Sequence, residues 1–538
     1  MKKYNLFAIA LLTAGCLFAF IGCSASRQTQ TISKSDLPKI SFGYWDIDSL
    51  QNTSKSDGIT AALEEKFGFS ASFQSFDWST YKMQYQILAA TDTLPDVFTN
   101  LLLSSNDAND VALYNQMIED GTIHPLPDDL SDYPHLEKLL SKYEYLRHKD
   151  GHMYAIPHPI FTEDILSSSD AAMLVRKDWM TTLGIQAPQN INEFISMVTA
   201  FAQQDPDGNG KNDTIGYNVN NLPALGKWVM LGIAPECNVY SWIHDTDGLY
   251  RPSWMTDAFR NVVTIYRDLY KSGGLDSDFY VKNPSTVVND FITGKLGAME
   301  YKSSASSLAE LRELWNTQND VPFDACVDVL PTFPAPDGKC YSNSSNSFWS
   351  EAYISSNVTD DELHIILSLI DYLLSDEGED LYNYGIQGTD YSIASDHSIT
   401  SQIADENSSH LIKLAEKYPS IELWANLAHN GWDSSDFEST NETQVLYTQE
   451  CISMAQKSLT YCKEKTIQVA RPYDFLIYPK EHASYSNDAF DAFIQCIIGT
   501  EDPLKMWDES LELMKSQGLE EYVIRQNQLY LESQSTNK

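Results

Sequence analysis

Positive charge is scarce in this sequence. Lys and Arg together number 36 against 75 Asp and Glu, which gives a formal net charge of −39. A surface this acidic repels phosphate backbones and anionic lipid head groups, so a nucleic-acid partner is disfavoured. Gly (25) and Pro (21) are not in excess, and hydrophobic (43%) and charged (21%) residues are close to the averages of soluble globular proteins. Wholesale disorder is therefore excluded, and 538 residues are enough for two large lobes or several domains.

The motifs of common catalytic sites are also missing. The sequence contains no HExxH, GxSxG, GxxxxGK(S/T) or GxGxxG pattern, and no CxxC or Cys/His cluster with zinc-site spacing. The 11 His are scattered without the helical spacing of metal ligands. With 75 carboxylates, a pair suited to glycoside hydrolysis can be imagined almost anywhere, so carboxylates alone do not indicate an enzyme. We therefore predict that the protein is not an enzyme.

Long hydrophobic runs are confined to the amino terminus. Two lysines precede an apolar run up to Gly22, which has the charged start and short apolar centre of a secretory signal peptide (1–22). The next residue, Cys23, closes the sequence FIGC, which resembles the lipobox of bacterial lipoproteins. Cys16 is a competing lipidation site, and an uncleaved membrane anchor is the other alternative. The sequence thus predicts export and lipid anchoring at the outer face of the bacterial cell membrane, through a polar linker at 23–37.

Cysteines are few beyond this amino-terminal segment. Cys326 and Cys340 flank a stretch rich in proline that suggests two strands folding back, so they are able to pair in an oxidising compartment. Cys451 and Cys462 lie three turns apart on one predicted helix, a separation of about 16 Å. That distance is too long for a disulfide.

The first part of the mature chain has the pattern of a parallel α/β sheet. Apolar residues alternate at 40–44 and at 69–73, and helical patterns follow at 56–68 and 80–90. LPDVF at 94–98 predicts a third strand. Ligands of such sheets bind beyond the carboxyl ends of the strands, so side chains that follow these strands are candidates for binding.

A second α/β unit is predicted from residue 171 onward, where a strand pattern runs into a helix. A further strand is predicted at 297–301, and the clearest helix of the chain at 361–384, where Leu and Ile recur at three- and four-residue spacing. The carboxyl-terminal third is mostly helical in pattern. The elements together predict an α/β fold of two lobes with a helix-rich carboxyl-terminal part and more than one crossing between the lobes.

Seven motifs, taken together and in order, resemble those of family 1 extracellular solute-binding lipoproteins, the receptors of carbohydrate ABC importers, and especially their long oligosaccharide-type members. The motifs are LPDVF at 94–98, VRKDWMTTLGIQAP at 175–188, DPDGNGKNDTIGY at 205–217, YRDLYKSGGLDSDF at 266–279, FITGKLGAM at 291–299, IDYLLSDEGEDLYNYGIQGTDY at 370–391 and WDESLELMKSQGLEEY at 507–522. The resemblance implies a type II periplasmic-binding-protein-like fold, in which two hinged lobes close on a ligand in the cleft between them.

The resemblance also implies a division of the chain. The first lobe is expected at 38–165 plus 302–355 and the second at 166–301 plus 356–538. The crossings are expected near 161–171, 300–302 and 351–356. Ligand contacts are expected beside these crossings.

Sugar recognition requires rings that pack on an apolar sugar face and polar side chains that bind the hydroxyl groups. We therefore selected aromatic residues outside predicted helix faces, and polar residues at strand ends or crossings. Trp45, Tyr301 and Trp349 are favoured because they adjoin a strand end or a crossing. The candidate ligand residues are Trp45, Asp46, Trp78, Asn100, Trp228, Trp242, Glu300, Tyr301, Trp349, Glu351, Tyr384, Tyr391, Trp424 and Trp432.

One loop has the spacing of a calcium site. Oxygen donors alternate in DPDGNGKND, with a glycine at the sharp turn, as in an EF-hand loop. The twelfth position, where a bidentate Glu is usual, is Gly216, and Thr214 stands where similar family members carry an acidic residue. We predict a structural Ca²⁺ site, with a metal-free turn as the alternative. Its expected ligands are Asp205, Asp207, Asn209, the carbonyl of Lys211, and Asp213.

The expected function is capture of an oligosaccharide by lobe closure and its delivery to ABC permease subunits, by a monomer that the lipid tethers to the membrane. A peptide or signal receptor on the same scaffold is the main alternative, because a fold does not fix its ligand. A secreted carbohydrate-active enzyme is the third.

Overall fold

Two separate β-sheets organise the chain, and each takes its strands from distant parts of the sequence. The computed structural model describes residues 37–536, apart from 52–55, 106–107, 221, 223–224, 238–240, 345–347, 406–407, 433 and 470–484. The segment Pro38–Lys538 forms one compact unit. The predicted signal peptide, the linker up to residue 36, Cys16 and Cys23 lie outside the described residues.

The strands are short, and most belong to one of the two sheets. They are β1 (Lys39–Trp45), β2 (Ser70–Phe76), β3 (Val97–Asn100), β4 (Ile156–Pro159), β5 (Ala172–Arg176), β6 (Ile215–Val219), β7 (Trp242–His244), β8 (Tyr250–Pro252), β9 (Leu296–Tyr301), β10 (Val327–Leu330), β11 (Cys340–Ser342), β12 (Phe348–Ile354), β13 (Tyr391–Ile393), β14 (Ile399–Ser401) and β15 (Thr466–Gln468).

Helices cover the faces of the sheets and make up most of the carboxyl-terminal part. They are α1 (Asp48–Gln51), α2 (Gly58–Phe67), α3 (Tyr81–Ala90), α4 (Ala108–Glu119), α5 (Pro134–Leu140), α6 (Lys177–Leu183), α7 (Ile191–Gln203), α8 (Lys227–Leu231), α9 (Asp257–Lys271), α10 (Pro284–Ile292), α11 (Ala305–Asn316), α12 (Phe323–Cys326), α13 (Asp360–Leu373), α14 (Asp376–Tyr384), α15 (His410–Lys417), α16 (Ile421–Leu427), α17 (Asn441–Leu446), α18 (Gln449–Lys465), α19 (Tyr485–Ile498), α20 (Pro503–Ser516) and α21 (Leu519–Thr536). Short 3-10 segments lie at Ser141–Leu146, Asp164–Asp170, Ser253–Met255 and Ser434–Phe437.

The first lobe is built on a five-stranded sheet in the order β2-β1-β3-β12-β4. β1 pairs in parallel with β2 and β3, as the alternating sequence predicts, whereas β12 pairs antiparallel with both β3 and β4. Its core combines residues near the amino terminus, such as Phe42 and Phe98, with Leu367 and Trp424 from helices far along the chain. The first lobe therefore includes α13 to α16.

The second lobe is built on a four-stranded sheet in the order β10-β5-β9-β6. β9 is parallel to β6 and antiparallel to β5, which is in turn antiparallel to β10. Successive residues of β5 face opposite sides: Met173 and Val175 pack with one core, and Leu174 packs with the other. Helices therefore cover both faces of this sheet, and the carboxyl-terminal helices α19 to α21 belong to the first of these two cores.

The predicted helix at 361–384 consists of two helices. α13 begins with a capping box, in which Thr359 accepts the backbone N–H of Glu362 and the Glu362 carboxylate accepts that of Thr359. α13 ends at Leu373, and the hydroxyl of Ser375 caps α14 by accepting the backbone N–H of Gly378. A Cβ at Gly378 would lie 2.1 Å from the carbonyl oxygen of Tyr372, so the close approach at this break requires glycine.

The lobe boundaries differ from those predicted. β10, assigned to the first lobe by its place in 302–355, pairs with β5 of the second sheet, and α11 packs on the same lobe through Leu308 and Leu311. Helices α13 to α16, assigned to the second lobe, pack on the first. The chain passes between the lobes after β4, between β11 and β12, and after α16, so the expected crossing near 300–302 is wrong. These pairings join distant segments, and local patterns do not reveal them.

The cysteines do not form the predicted pair. Cys326 and Cys340 are free thiols, and so are Cys451 and Cys462. Cys326 ends α12 inside the second lobe, whereas Cys340 begins β11, which pairs with β15. Among the residues that the structure describes, we find no helix long and apolar enough to cross a membrane.

Candidate functional site

The carboxyl edge of the first sheet brings together several predicted ligand residues. The parallel strands β1, β2 and β3 end at this edge, and the antiparallel strand β12 begins there. Trp45 pairs with Phe76 at the ends of β1 and β2, and Asn100 pairs with Glu351 where β3 meets β12. Trp349, two residues before Glu351, therefore lies close to Trp45 although it is distant in sequence.

Four rings at this edge form the tryptophan cluster, defined as Trp45, Trp78, Tyr81 and Trp349. The ring centroid of Trp45 lies 5.0 Å from that of Trp78, 5.3 Å from Tyr81 and 5.5 Å from Trp349. Trp45 is buried, whereas Trp78 is 50% exposed and Trp349 is half-buried. Trp45 is thus the buried ring that contacts the other three, while Trp78 and Trp349 are accessible to solvent.

A cavity of about 590 Å³ lies beside Trp349 and is bounded by both lobes. We term it the interlobe cavity. The first lobe contributes most of its wall, and the second lobe contributes three charged side chains. The aromatic and polar lining residues are Asp170, Lys302, Glu310, Trp349, Tyr382, Asn383, Glu422, Asn426, His429 and Trp432.

Trp432 lies where two crossings run side by side. The backbone N–H of Trp432 donates to the carbonyl of Ile160, and the backbone carbonyl of Trp432 accepts the N–H of Thr162, both at 2.8 Å. The His429 ring is 5.1 Å from that of Trp432, and His429 Nδ1 accepts the N–H of Gly431 at 2.8 Å. Burial lowers the pKa of His429 to about 4, so this imidazole is neutral at pH 7.

Two carboxylates, those of Glu310 in the second lobe and Glu422 in the first, line the cavity. Burial between the walls raises the pKa of Glu310; the charge of Lys302 lowers it and that of Glu422 raises it further. The pKa of Glu422 is raised by burial and then by the charge of Asp46. Each influences the pKa of its neighbours through space, and neither accepts a hydrogen bond or forms an ion pair within the described part of the chain.

The predicted residues Glu351 and Glu300 are both buried and hold backbone within their own lobes. Glu351 accepts the N–H of Leu102 at 3.1 Å and that of Ser104 at 2.6 Å, which fixes the loop after β3. Glu300 accepts the Tyr217 hydroxyl at 2.7 Å and also backbone N–H groups at the start of α8. Burial raises the pKa of each to about 7. Neither side chain lines the interlobe cavity.

The remaining predicted rings are mostly part of the cores. The indole of Trp424 donates to Thr60 Oγ1 and packs on Phe42 in the first lobe. Trp242 packs on Tyr522 in the second. These rings are buried because tertiary packing covers the loops or helix ends that carry them.

Four other candidates do not line the interlobe cavity. Three of them are close in sequence to residues that do, and the fourth lines a separate cavity. Tyr384 and Tyr391 pack together at 5.4 Å, next to the cavity residue Asn383. Tyr301 is half-buried and precedes Lys302. Trp228 is buried and lines a separate cavity of about 360 Å³ within the second lobe.

The other polar candidates lie at the edge of the first sheet. Asp46 is exposed, and its carboxylate accepts the N–H of Trp78 at 3.4 Å. Asn100 is buried, and its side-chain oxygen accepts the N–H of Leu101 at 2.8 Å. Asp46 therefore lies beside the tryptophan cluster, while Asn100 shapes the backbone that follows β3.

Several cavity residues were missed from the sequence. Glu310 lies within α11 and Glu422 within the first turn of α16, where an acidic residue is ordinarily a solvated side chain. Lys302 directly follows the predicted strand end at Tyr301, and this position was the one signal that could have revealed it.

The predicted calcium loop brings its carboxylates together around Asn209. The Asn209 side-chain nitrogen donates to Asp207 Oδ2 at 2.7 Å and to Asp213 Oδ1 at 3.0 Å, and its backbone N–H donates to Asp205 Oδ1 at 3.1 Å. The pKa of Asp207 is raised, first by burial and then by the neighbouring Asp205 and Asp213. No group of three or more His, Cys, Asp or Glu in the described ranges has the geometry of a metal site.

The departure of this loop from an EF-hand has a steric cause. A Cβ at Gly216 would lie 2.1 Å from the carbonyl oxygen of Val198 in α7, so a side chain does not fit at the twelfth position. The Thr214 hydroxyl donates to the Phe201 carbonyl at 2.7 Å and is buried. The carboxyl-terminal end of the loop is therefore fixed to α7.

Two α/β lobes around a cavity define the class of fold, which is that of the solute-binding proteins. FusA of Streptococcus pneumoniae, in complex with kestose, aligns with a TM-score of 0.67 and 18% identity, over 93% of this chain and 100% of that chain. An alginate-binding protein solved without calcium aligns with a TM-score of 0.67 and 17% identity, over 92% of this chain and 99% of that chain. The predicted two-lobed α/β fold is confirmed.

Three relatives share sequence with this chain. Lipoprotein LipO of Bacillus subtilis is 25% identical over 536 residues, which are 97% of each chain. The polygalacturonan/rhamnogalacturonan-binding protein YtcQ of the same species is 26% identical over 53% of this chain and 55% of YtcQ. FusA, a fructooligosaccharide ABC transporter substrate-binding protein, is 26% identical over 49% of this chain and 48% of FusA. No protein-family model matches the chain. The relatives confirm the predicted resemblance to carbohydrate solute-binding proteins.

Proposed function

We propose that this protein binds an oligosaccharide in the interlobe cavity and delivers it to the permease of an ABC importer. The observation that carries the proposal is the composition of that cavity. Trp349 and Trp432 offer aromatic faces, while Glu310, Asn383 and Glu422 offer polar groups with no side-chain partner among the described residues. Rings that pack on apolar sugar faces and free acceptors for hydroxyl groups are what carbohydrate binding requires.

Closure of the lobes is the expected binding motion. Both lobes line the cavity, and the crossings that join them meet at Trp432, where the hydrogen bonds to Ile160 and Thr162 tie two of them together. Ligand in the cavity would contact both lobes at once and would favour the closed arrangement. The permease would then recognise the closed protein.

The names of the relatives support a carbohydrate ligand. YtcQ is named for binding polygalacturonan and rhamnogalacturonan, and FusA for fructooligosaccharides. The cavity combines aromatic rings with carboxylate and amide side chains, and this combination favours a sugar over a peptide. Binding without chemical change to the glycan is the proposed activity.

Trp349→Ala and Trp432→Ala test this proposal. Each variant should weaken binding of a glycan identified from a panel at least tenfold, about 1.4 kcal/mol, because a stacking surface is lost. Calorimetry on the full chain in detergent provides the affinities. Tyr280→Ala removes a ring that is 38% exposed and lies outside the cavity, and serves as the matched control.

Three results would contradict the proposal: unchanged affinity in both tryptophan variants, binding of peptides but of no glycan, or release of shorter products from a bound glycan. The first removes the site, the second favours a peptide receptor, and the third an enzyme.

The proposal extends to the membrane anchor. LipO, related over nearly its whole length, is named a lipoprotein, and Cys23 follows the predicted signal peptide directly. Cys23→Ser should abolish partition of the exported protein into the detergent phase of a Triton X-114 separation, whereas Cys16→Ser should leave it intact. The opposite pattern would move the anchor to Cys16.

The proposal also includes a structural Ca²⁺ in the loop from Asp205 to Asp213. A structure of a FusA EF-hand mutant and that of the alginate-binding protein without calcium indicate that similar proteins have such sites. Here Asp205, Asp207 and Asp213 all accept hydrogen bonds from Asn209, and burial followed by the nearby Asp205 and Asp213 raises the pKa of Asp207. Hard oxygen ligands of this kind suit calcium.

A further inference from the structure

Acidic side chains dominate the charge of the interlobe cavity. Three carboxylates line it, those of Asp170, Glu310 and Glu422, against one ammonium group, that of Lys302. The exposed carboxylate of Asp46 adds to the field, since it raises the pKa of Glu422 through space. Local charge and the chain's net charge of −39 therefore have the same sign.

The one lysine of the lining is already close to an acid. Lys302 Nζ lies 3.9 Å from Asp170 Oδ1, and its charge also acts on Glu310. A carboxylate on a ligand would have to compete with both side chains for this ammonium group. Lys302 thus balances part of the acidic charge from a distance, and neither Glu310 nor Glu422 forms an ion pair in the described part of the chain.

The histidines beside the cavity do not supply positive charge. Burial lowers the pKa of His429 to about 4, and burial lowers that of His158, which lies behind Trp349, to about 3. Their hydrogen bonds fit neutral rings: His429 Nδ1 accepts from Gly431, and His158 Nδ1 lies 2.7 Å from the Ser350 hydroxyl. At neutral pH both rings act as uncharged groups.

We infer that the ligand of the proposed function is an oligosaccharide without carboxylate groups, because Glu310 and Glu422 accept hydrogen bonds from hydroxyl or amine groups and repel uronic acids. The inference rests on the proposed function and narrows its substrate class. It separates this protein from YtcQ, whose name states that it binds polygalacturonan. In a cavity partly shielded from water, repulsion between like charges is stronger than on an open surface.

Oligosaccharides that differ only in charge provide the test. The panel contains fructo-, xylo- and galacto-oligosaccharides, oligogalacturonates, and the methyl esters of the same oligogalacturonates. Where the panel gives binding, the ester should bind at least tenfold more tightly than the free acid at pH 7, and the neutral oligosaccharides more tightly than the acid. Raising the ionic strength should reduce this ratio because salt screens the repulsion.

The double variant Glu310→Gln with Glu422→Gln shows whether these two side chains cause the selectivity. The ratio between ester and acid should fall several-fold in this variant, whatever happens to the affinity for neutral sugars. Glu65→Gln combined with Glu137→Gln, at exposed positions on α2 and α5, changes the net charge by the same two units and should leave the ratio unchanged.

Outcomes of this experiment separate the inference from the proposed function. Tighter binding of oligogalacturonate than of its ester would overturn the inference and leave oligosaccharide binding intact. A ratio unaffected by the double variant would also overturn it. If no glycan of the panel binds at all, the proposed function fails together with the inference.

Discussion

The two lobes contribute different chemistry to the interlobe cavity. The first lobe supplies the ring of Trp349, backed by Trp45, together with Glu422. The second lobe supplies the charged side chains Asp170, Lys302 and Glu310, and Trp432 of the lining also packs against a core of this lobe. We therefore expect a ligand to stack first on the first lobe and to gain its polar contacts with the second lobe as the cleft closes.

In one respect the two lobes are alike: each contains a buried glutamate that accepts hydrogen bonds from nearby backbone N–H groups. Glu351 fixes the loop after β3 in the first lobe, and Glu300 fixes the start of α8 in the second. Each lies within two residues of a cavity residue, Lys302 or Trp349, yet neither glutamate lines the cavity. A glutamate at a strand end therefore indicates a rigid binding edge as readily as it indicates a ligand contact.

The largest effect should come from removing these glutamates. Glu351→Ala and Glu300→Ala should each lower the free energy of unfolding by about 1 to 3 kcal/mol, because buried backbone N–H groups lose their acceptor. Urea denaturation of each variant measures the loss. Glu65→Ala is the exposed control and should stay within about 0.5 kcal/mol. Equal stability of all three variants would show that the two lobes do not depend on these carboxylates.

A smaller effect should appear in the dependence of stability on pH. Burial raises the pKa of Glu300 and Glu351 from the ordinary 4.5 to about 7 in the folded protein. The folded state therefore holds these protons more tightly, so the two groups stabilise it fully below about 4.5 and lose that contribution as pH rises through about 7. Each contributes a slope of at most about 1.4 kcal/mol per pH unit.

Glutamine at both positions should flatten this slope between pH 5 and 7, roughly the interval that separates the two pKa values. Thermal unfolding of the wild type and of the Glu300→Gln, Glu351→Gln variant across that pH range measures the slope. A wild-type slope retained in the double variant would show that other groups cause the pH dependence.

The smallest effect should come from calcium and should be confined to the second lobe, which carries the loop. Ca²⁺ at ten times its Kd should raise the melting temperature of that lobe by a few degrees, because that concentration stabilises the lobe by about 1.4 kcal/mol. Asp207→Asn should abolish the shift, and Asp268→Asn, an exposed position on α9, should retain it. A shift of equal size in Asp207→Asn would contradict the site.

Local patterns were enough to predict the parallel start of the first sheet. Alternation at β1 and β2 and the short apolar segment at β3 specify strands, and their common edge follows from parallel pairing. Trp45 and Trp78, which follow neighbouring predicted strands, are in contact there, and Trp349, selected for its place beside a crossing, joins them. The sequence did not reveal that β12 pairs with β3 or that β10 pairs with β5. In each pair the two strands lie far apart in the chain, so local patterns carry no signal of the pairing.

The missed cavity residues have a similar explanation. A carboxylate such as Glu310 on α11 faces either solvent or a cleft, and only the opposing α16 with Glu422 decides which. Conversely, Trp424 and Trp228 were selected as rings on loops, but short helices carry or adjoin them and turn them into the cores. Selecting aromatic residues was informative, but whether each ring faces the cavity or a core depends on tertiary packing.

The contact between Gly216 and α7 limits how the calcium loop can be re-engineered. Introducing Glu at position 216 would drive its Cβ into the Val198 carbonyl, so the usual route to higher affinity would displace the start of β6 from α7. Replacing Thr214 with an acidic residue would remove the hydrogen bond to the Phe201 carbonyl and place a negative charge beside that oxygen. Tighter metal retention would therefore have to be obtained within the exposed half of the turn, for example by exchanging Asn209 for aspartate.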